Sequence, residues 1–106
     1  MPVTEATNHD TFLSALGFNR LDRNFSQLMV LPHPADEKLT LVAFQHRGSD
    51  GTRLDLFTEY KESSVSYPLN TPGDPRNICL GIPDHNPAFV ATMVTAVVGH
   101  FKGLEV

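Results

Sequence analysis

The chain has 106 residues, 41% hydrophobic and 19% charged, a mix that supports one globular core and excludes two side-by-side domains or a disordered polymer. With 8 Lys and Arg against 12 Asp and Glu the formal charge is −4, so there is no basic footprint for phosphate backbones and nucleic acid is not an expected partner. The lone Cys79 excludes an internal disulfide and a thiolate zinc cluster and fits a cytoplasmic setting. No basic patch followed by an apolar run opens the chain, and no stretch approaches the roughly 20 apolar residues of a membrane span, so neither export nor a membrane is expected.

In chain order, the pattern first predicts a short helix over His9–Leu16. Asn8 is placed to cap it, Phe12, Leu13 and Leu16 recur three and four apart, and Gly17 is suited to end it. Three strand-like runs follow: Gln27–Leu31, stopped by Pro32 and Pro34, then Leu39–Arg47 and Arg53–Tyr60. Residues 36–38 and the Gly-rich 48–51 are of hairpin length. The segment 62–77 carries Pro68, Pro72 and Pro75 and reads as a long connection, a length that usually means binding or a passage between sheets. Ile78–Ile82 is a fourth strand. In the closing helix Asn86 is the N-cap and Pro87 the first helical residue. Val90, Val94, Val97 and Phe101 form its apolar stripe, widened by Phe89, Met93 and Ala96, and Gly103 ends it before a short terminal strand over Leu104–Val106. The fold class is α+β, one domain over 1–106, with helices on one face of antiparallel sheet.

Strand alternation sorts the side chains. Leu54, Leu56, Thr58 and Tyr60 share one face, and Arg53, Asp55, Phe57 and Glu59 the other. The run Leu39–Arg47 is apolar on both sides, which predicts a central strand whose second face is also covered.

Three segments in this order, Phe12–Phe18 ending in Leu-Gly-Phe, Thr52–Phe57 and Arg76–Asp84, resemble the vicinal oxygen chelate superfamily, the glyoxalase, bleomycin-resistance and dioxygenase group. The resemblance implies βαβββ-like modules around a cup. The first would span 1–61, a crossover loop 62–77, and an incomplete second module 78–106, so that a homodimer would complete the cup. It also implies an eroded metal site. Asp55 stands at one carboxylate position, Asn77 replaces a histidine, and the other two ligands have no counterpart, so a member without metal or cofactor is expected.

Candidate chemistry lies mostly on the cup-facing strand sides. Asp55, Glu59, His46 and Tyr60 are the acid/base candidates, although a solvated strand face is the plainer reading of Asp55, Glu59 and His46. Phe44, Phe57 and Tyr67 are candidates for an apolar wall, with ordinary core packing the alternative for Phe44. Arg53 and Arg76 are candidates for holding a carboxylate or phosphate, with surface pairing to Asp or Glu the alternative; Asn77 and Cys79 are candidates for the substrate-binding wall, Cys79 less readily as a nucleophile. His9, His85 and His100 read as helix-end residues. The expected function is metal-independent binding of an apolar, oxygen-containing small molecule, with isomerase, cyclase or dehydratase chemistry left open. The alternative is an immunity protein or secretion chaperone whose acidic sheet face docks a basic protein. A closed pocket lined by Asp55, Phe57 and Asn77 fits the first, and an open surface the second.

Overall fold

A computed structural model describes residues 9–23, 26–48, 51–69, 71–84 and 86–105. Asn8, Ser49, Asp50, His85 and Val106, which the sequence reading assigned to a cap, a hairpin loop, a helix end and a terminal strand, lie outside these residues. The elements are α1 (Asp10–Ala15), β1 (Asn19–Arg23), β2 (Ser26–His33), β3 (Asp36–Gly48), β4 (Gly51–Glu62), β5 (Val65–Pro68), β6 (Cys79–Pro83) and α2 (Pro87–Lys102). The α+β class with helices packed on an antiparallel sheet is what forms.

All six strands belong to one sheet, in the order β1-β2-β3-β4-β5, with β6 also paired to β4. The long strand β4 explains this arrangement. Its second half, Glu59–Glu62, pairs with β5, and its first half, Arg53–Phe57, pairs with β6. Thus β5 and β6 lie end to end along one edge of β4, like a single strand interrupted by the Pro-rich loop. The segment expected to open a second module is therefore hydrogen-bonded within the same sheet.

Two strands depart from the sequence reading. Asn19–Arg23 forms β1, with Leu21 opposite Leu28, although its polar run shows no apolar alternation. Val65–Pro68 forms β5 inside the segment read as a connection; all four residues are exposed, so no burial pattern marked them. The terminal strand does not form in its described part, because Leu104 instead donates to the Phe101 carbonyl at 3.2 Å and packs on the core.

Helix α1 is only one and a half turns long, too short to persist without help. Its end supplies that help. Gly17 adopts φ 105° and its amide bonds Ser14 O at 3.0 Å, while the Phe18 amide reaches Leu13 O at 3.0 Å. This left-handed closure brings buried Leu13 and Phe18 together. In α2, Asn86 Oδ1 accepts from the Ala88 and Phe89 amides at 3.1 and 3.2 Å, with Pro87 beginning the helix. The buried stripe is Val90, Val94, Val98 and Phe101. Val97 is only partly buried and Phe89 is 45% exposed, so the stripe is rotated from the expected one.

These helices pack on one sheet face, against Met29, Leu31, Leu39, Leu41, Ala43, Leu54, Leu56 and Ile82. No described helix covers the other face. There the registers align one row of side chains across five strands: Asn19, Val30, Val42, Phe57 and Cys79. Val42, at its centre, is fully buried.

Candidate functional site

On that second face, the strand parity of β4 projects Arg53, Asp55, Phe57 and Glu59 to the same side. The register places Asp55 between Phe44 of β3 and Gly81 of β6, and Arg53 between His46 and Pro83. Where β4 meets β6 and the end of β5, a half-open groove of about 520 Å³ forms. Arg53, Asp55 and Phe57 line it from β4, Pro68 and Leu69 from the end of β5, and residues 77–81 from β6 and the loop before it.

The charged end of the groove is an ion pair. Arg53 Nε donates to Asp55 Oδ1 at 2.8 Å, with the two side chains 53% and 26% exposed. Gly81 lies beneath it: a Cβ there would sit 3.3 Å from Asp55 Oδ1 and 3.5 Å from Arg53 Cδ, so the bare backbone lets the pair rest on the sheet. With Nε so engaged, the Nη groups of Arg53 bond to no described residue and remain as donors. The rest of the wall is largely apolar, from Phe57, Leu69, Ile78 and Leu80.

Of the residues singled out from sequence, the groove gathers Arg53, Asp55, Phe57, Asn77 and Cys79. The other five lie elsewhere. His46 stands opposite Arg53 beside Phe44, with ring centroids 6.4 Å apart, outside the groove lining. Glu59 is buried and four residues from Asp55, roughly 13 Å along the strand. That separation is too long for two carboxylates to work on one bond, where spacings of about 5 to 9.5 Å are used. Tyr60 projects to the helix face and packs on the core, with the Arg76 guanidinium 5.7 Å above its ring. Tyr67 pairs with Tyr60 across β4 and β5, and its hydroxyl donates to Glu62 Oε1 at 3.0 Å. That bond, with some desolvation, raises the Tyr67 phenol above the ordinary tyrosine range.

The loop that closes the groove has its own clamp. Asp74 takes a bidentate contact from Arg76, 3.1 Å from Nε and 2.8 Å from Nη2, and also accepts from the Arg76 amide at 2.9 Å. These bonds hold the Asp74 carboxyl below, and the Arg76 guanidinium above, its ordinary range. Asn77 Nδ2 donates to Thr71 O at 3.4 Å, so its side chain braces the loop.

Sequence reasoning missed Pro68, Leu69, Ile78, Leu80 and Gly81. Parity assigns Ile78 and Leu80 to the core face, and only the bare edge of β6 turns them into groove wall. Gly81 carried a signal, since a glycine inside a strand marks a close approach by another group. Among the described residues no group of three or more His, Cys, Asp or Glu could hold a metal ion. No helix is long and apolar enough to cross a membrane, among the described residues. Comparison with known proteins finds no matching family model, no matching curated protein and no matching solved structure.

Proposed function

We propose that this chain binds a small, mainly apolar molecule carrying an acceptor oxygen in the groove between β4 and β6. The observation that carries the reading is the convergence of Arg53, whose Nη groups bond to no described residue, and an apolar wall on one groove of about 520 Å³, within the usual size of small-ligand sites. The oxygen docks on the Nη groups, and the body of the ligand lies against Phe57, Leu69 and Leu80. All of these residues belong to one chain, so the site needs no second copy.

Binding is a better fit than catalysis. Asp55 is tied to Arg53, Glu59 is buried a strand-half away, and Tyr60 is on the other face, so these acid/base candidates do not converge in the groove. An exposed free thiol at Cys79 suits a reducing compartment, and we place the protein in the cytoplasm.

The test is titration with anilinonaphthalene sulfonate, an apolar fluorophore bearing an oxyanion, with the backbone amides followed by NMR. One saturable site with shifts centred on residues 77–81 supports the reading, as does its loss in Cys79→Trp, which fills the groove from an exposed position. Arg53→Gln weakens binding by about fivefold to tenfold, the worth of one charge-assisted contact at a partly exposed site. Shifts scattered over the whole sheet face, with no single site, would favour a protein-docking surface instead.

A further inference from the structure

We propose a second binding site, for a phosphate-class dianion, between Lys38 and Lys61. The chain is acidic and has lysine only at positions 38, 61 and 102. Two of these flank one cavity. Leu39 and Tyr60 are paired across β3 and β4, and Lys38 and Lys61 each stand one residue beyond that pair at the same end of the sheet. Both line a cavity of about 530 Å³ together with Pro32, Glu37 and Ser63.

Like charges facing each other across adjacent strands repel, and a sheet normally separates or neutralises them. Here neither ammonium forms an ion pair with a described residue. The nearby Asp36 carboxylate accepts from the Lys38 backbone amide at 3.1 Å. Two compact, strongly hydrated monocations lining one cavity match a tetrahedral dianion. Ser63 adds a hydroxyl donor from the β4–β5 turn, where it holds φ 60°. Glu37, in the same lining, repels further negative charge, so the site suits a single phosphoryl group and not a polyanionic chain. Along β4 the site lies six residues from Asp55, roughly 20 Å, and is separate from the groove.

The experiment is a titration with inorganic phosphate at constant ionic strength, against chloride, reading the lysine side-chain signals by NMR. Saturable shifts at Lys38 and Lys61 but not at Lys102 are expected. Lys38→Gln or Lys61→Gln should weaken phosphate binding by roughly fivefold each, the upper range for one exposed charge contact, while Lys102→Gln leaves it unchanged. Each substituted side chain is exposed, and circular dichroism verifies that the variants keep the fold. Equal, non-saturating shifts at all three lysines, or full binding in the Lys38→Gln/Lys61→Gln double variant, would overturn the proposal.

Discussion

Thr58 and Ile78 are bonded twice. The Thr58 amide donates to the Ile78 carbonyl at 3.0 Å, and the Ile78 amide donates to Thr58 Oγ1 at 3.0 Å. The same hydroxyl donates to Arg76 O at 2.7 Å, and Leu69 N reaches Thr58 O at 2.9 Å. One fully buried threonine thus splices β5, the Pro-rich loop and β6 to the middle of β4. The groove exists because the loop leaves and rejoins the sheet at this residue.

Thr58→Val keeps the shape and removes the hydroxyl, leaving the Ile78 amide and Arg76 carbonyl without it. It should cost about 1–3 kcal/mol in urea unfolding. Thr58→Ser, which keeps the hydroxyl, should cost less. Equal losses in the two variants would show that the methyl group, not the hydroxyl, holds the splice.

A buried latch joins the start of the described chain to the turn between β6 and α2. His9 Nε2 lies 2.9 Å from Asp84 Oδ1, with the side chains 6% and 1% exposed, and Asp84 Oδ2 has no hydrogen-bond partner among the described residues. Asp84 also bonds Thr52 through its backbone, N to O at 3.0 Å. His9→Ala and Asp84→Asn should each destabilise by about 1–3 kcal/mol, and the double variant by clearly less than their sum. Additive losses would mean that the two side chains are not coupled.

Phe101 is fully buried and meets the His33 ring edge-on at 5.2 Å, whereas Phe89, on the same helix, is 45% exposed. Phe101→Ala should therefore cost about 3–5 kcal/mol. Phe89→Ser should stay within about 0.5 kcal/mol. Chemical denaturation of both variants checks the orientation of α2.

Acid should loosen the groove loop before it unfolds the sheet. The Asp74 carboxyl is held below its ordinary value by Arg76. A depressed acid stabilises the folded state above its unfolded value, and that contribution is lost as pH falls through the folded one. Below roughly pH 4, the Arg76 and Asn77 amides should exchange faster with solvent while β3 and β4 amides stay protected. Asp74→Asn should show the fast exchange already at neutral pH, and unchanged exchange there would contradict the clamp. The alkaline counterpart is Tyr67: its phenol is raised chiefly by Glu62, so Glu62→Gln should move its absorbance titration downward.

Gly81→Ala tests the floor of the groove. The new methyl would push on Asp55 Oδ1 at 3.3 Å, and an exposed ion pair can shift aside. Global stability should change by less than about 1 kcal/mol, while fluorophore binding weakens because Arg53 is displaced.

Local chemistry made much of this protein legible in its sequence. The closure of α1 at Gly17, the Asn86-Pro87 start of α2, and the alternation of β3 and β4 each depend on contacts within a few residues or on one strand's pleat. The same alternation put Arg53, Asp55 and Phe57 on one face. Other features belong to packing. Strand β5 has no apolar signal because its four residues are exposed and it is held to β4 by backbone pairing and the Tyr67–Glu62 bond. The Leu104 terminus follows the helix it leaves, and the α2 stripe turns from Val97 to Val98 to meet the sheet. Parity alone also separates Tyr60 from Asp55, yet only the registry of β4 with two collinear partners shows which of the face residues border a hollow. Side-chain alternation is a property of one strand, fixed by covalent geometry; a groove is a property of where strands stop, and that depends on contacts such as Thr58–Ile78 between residues 20 positions apart.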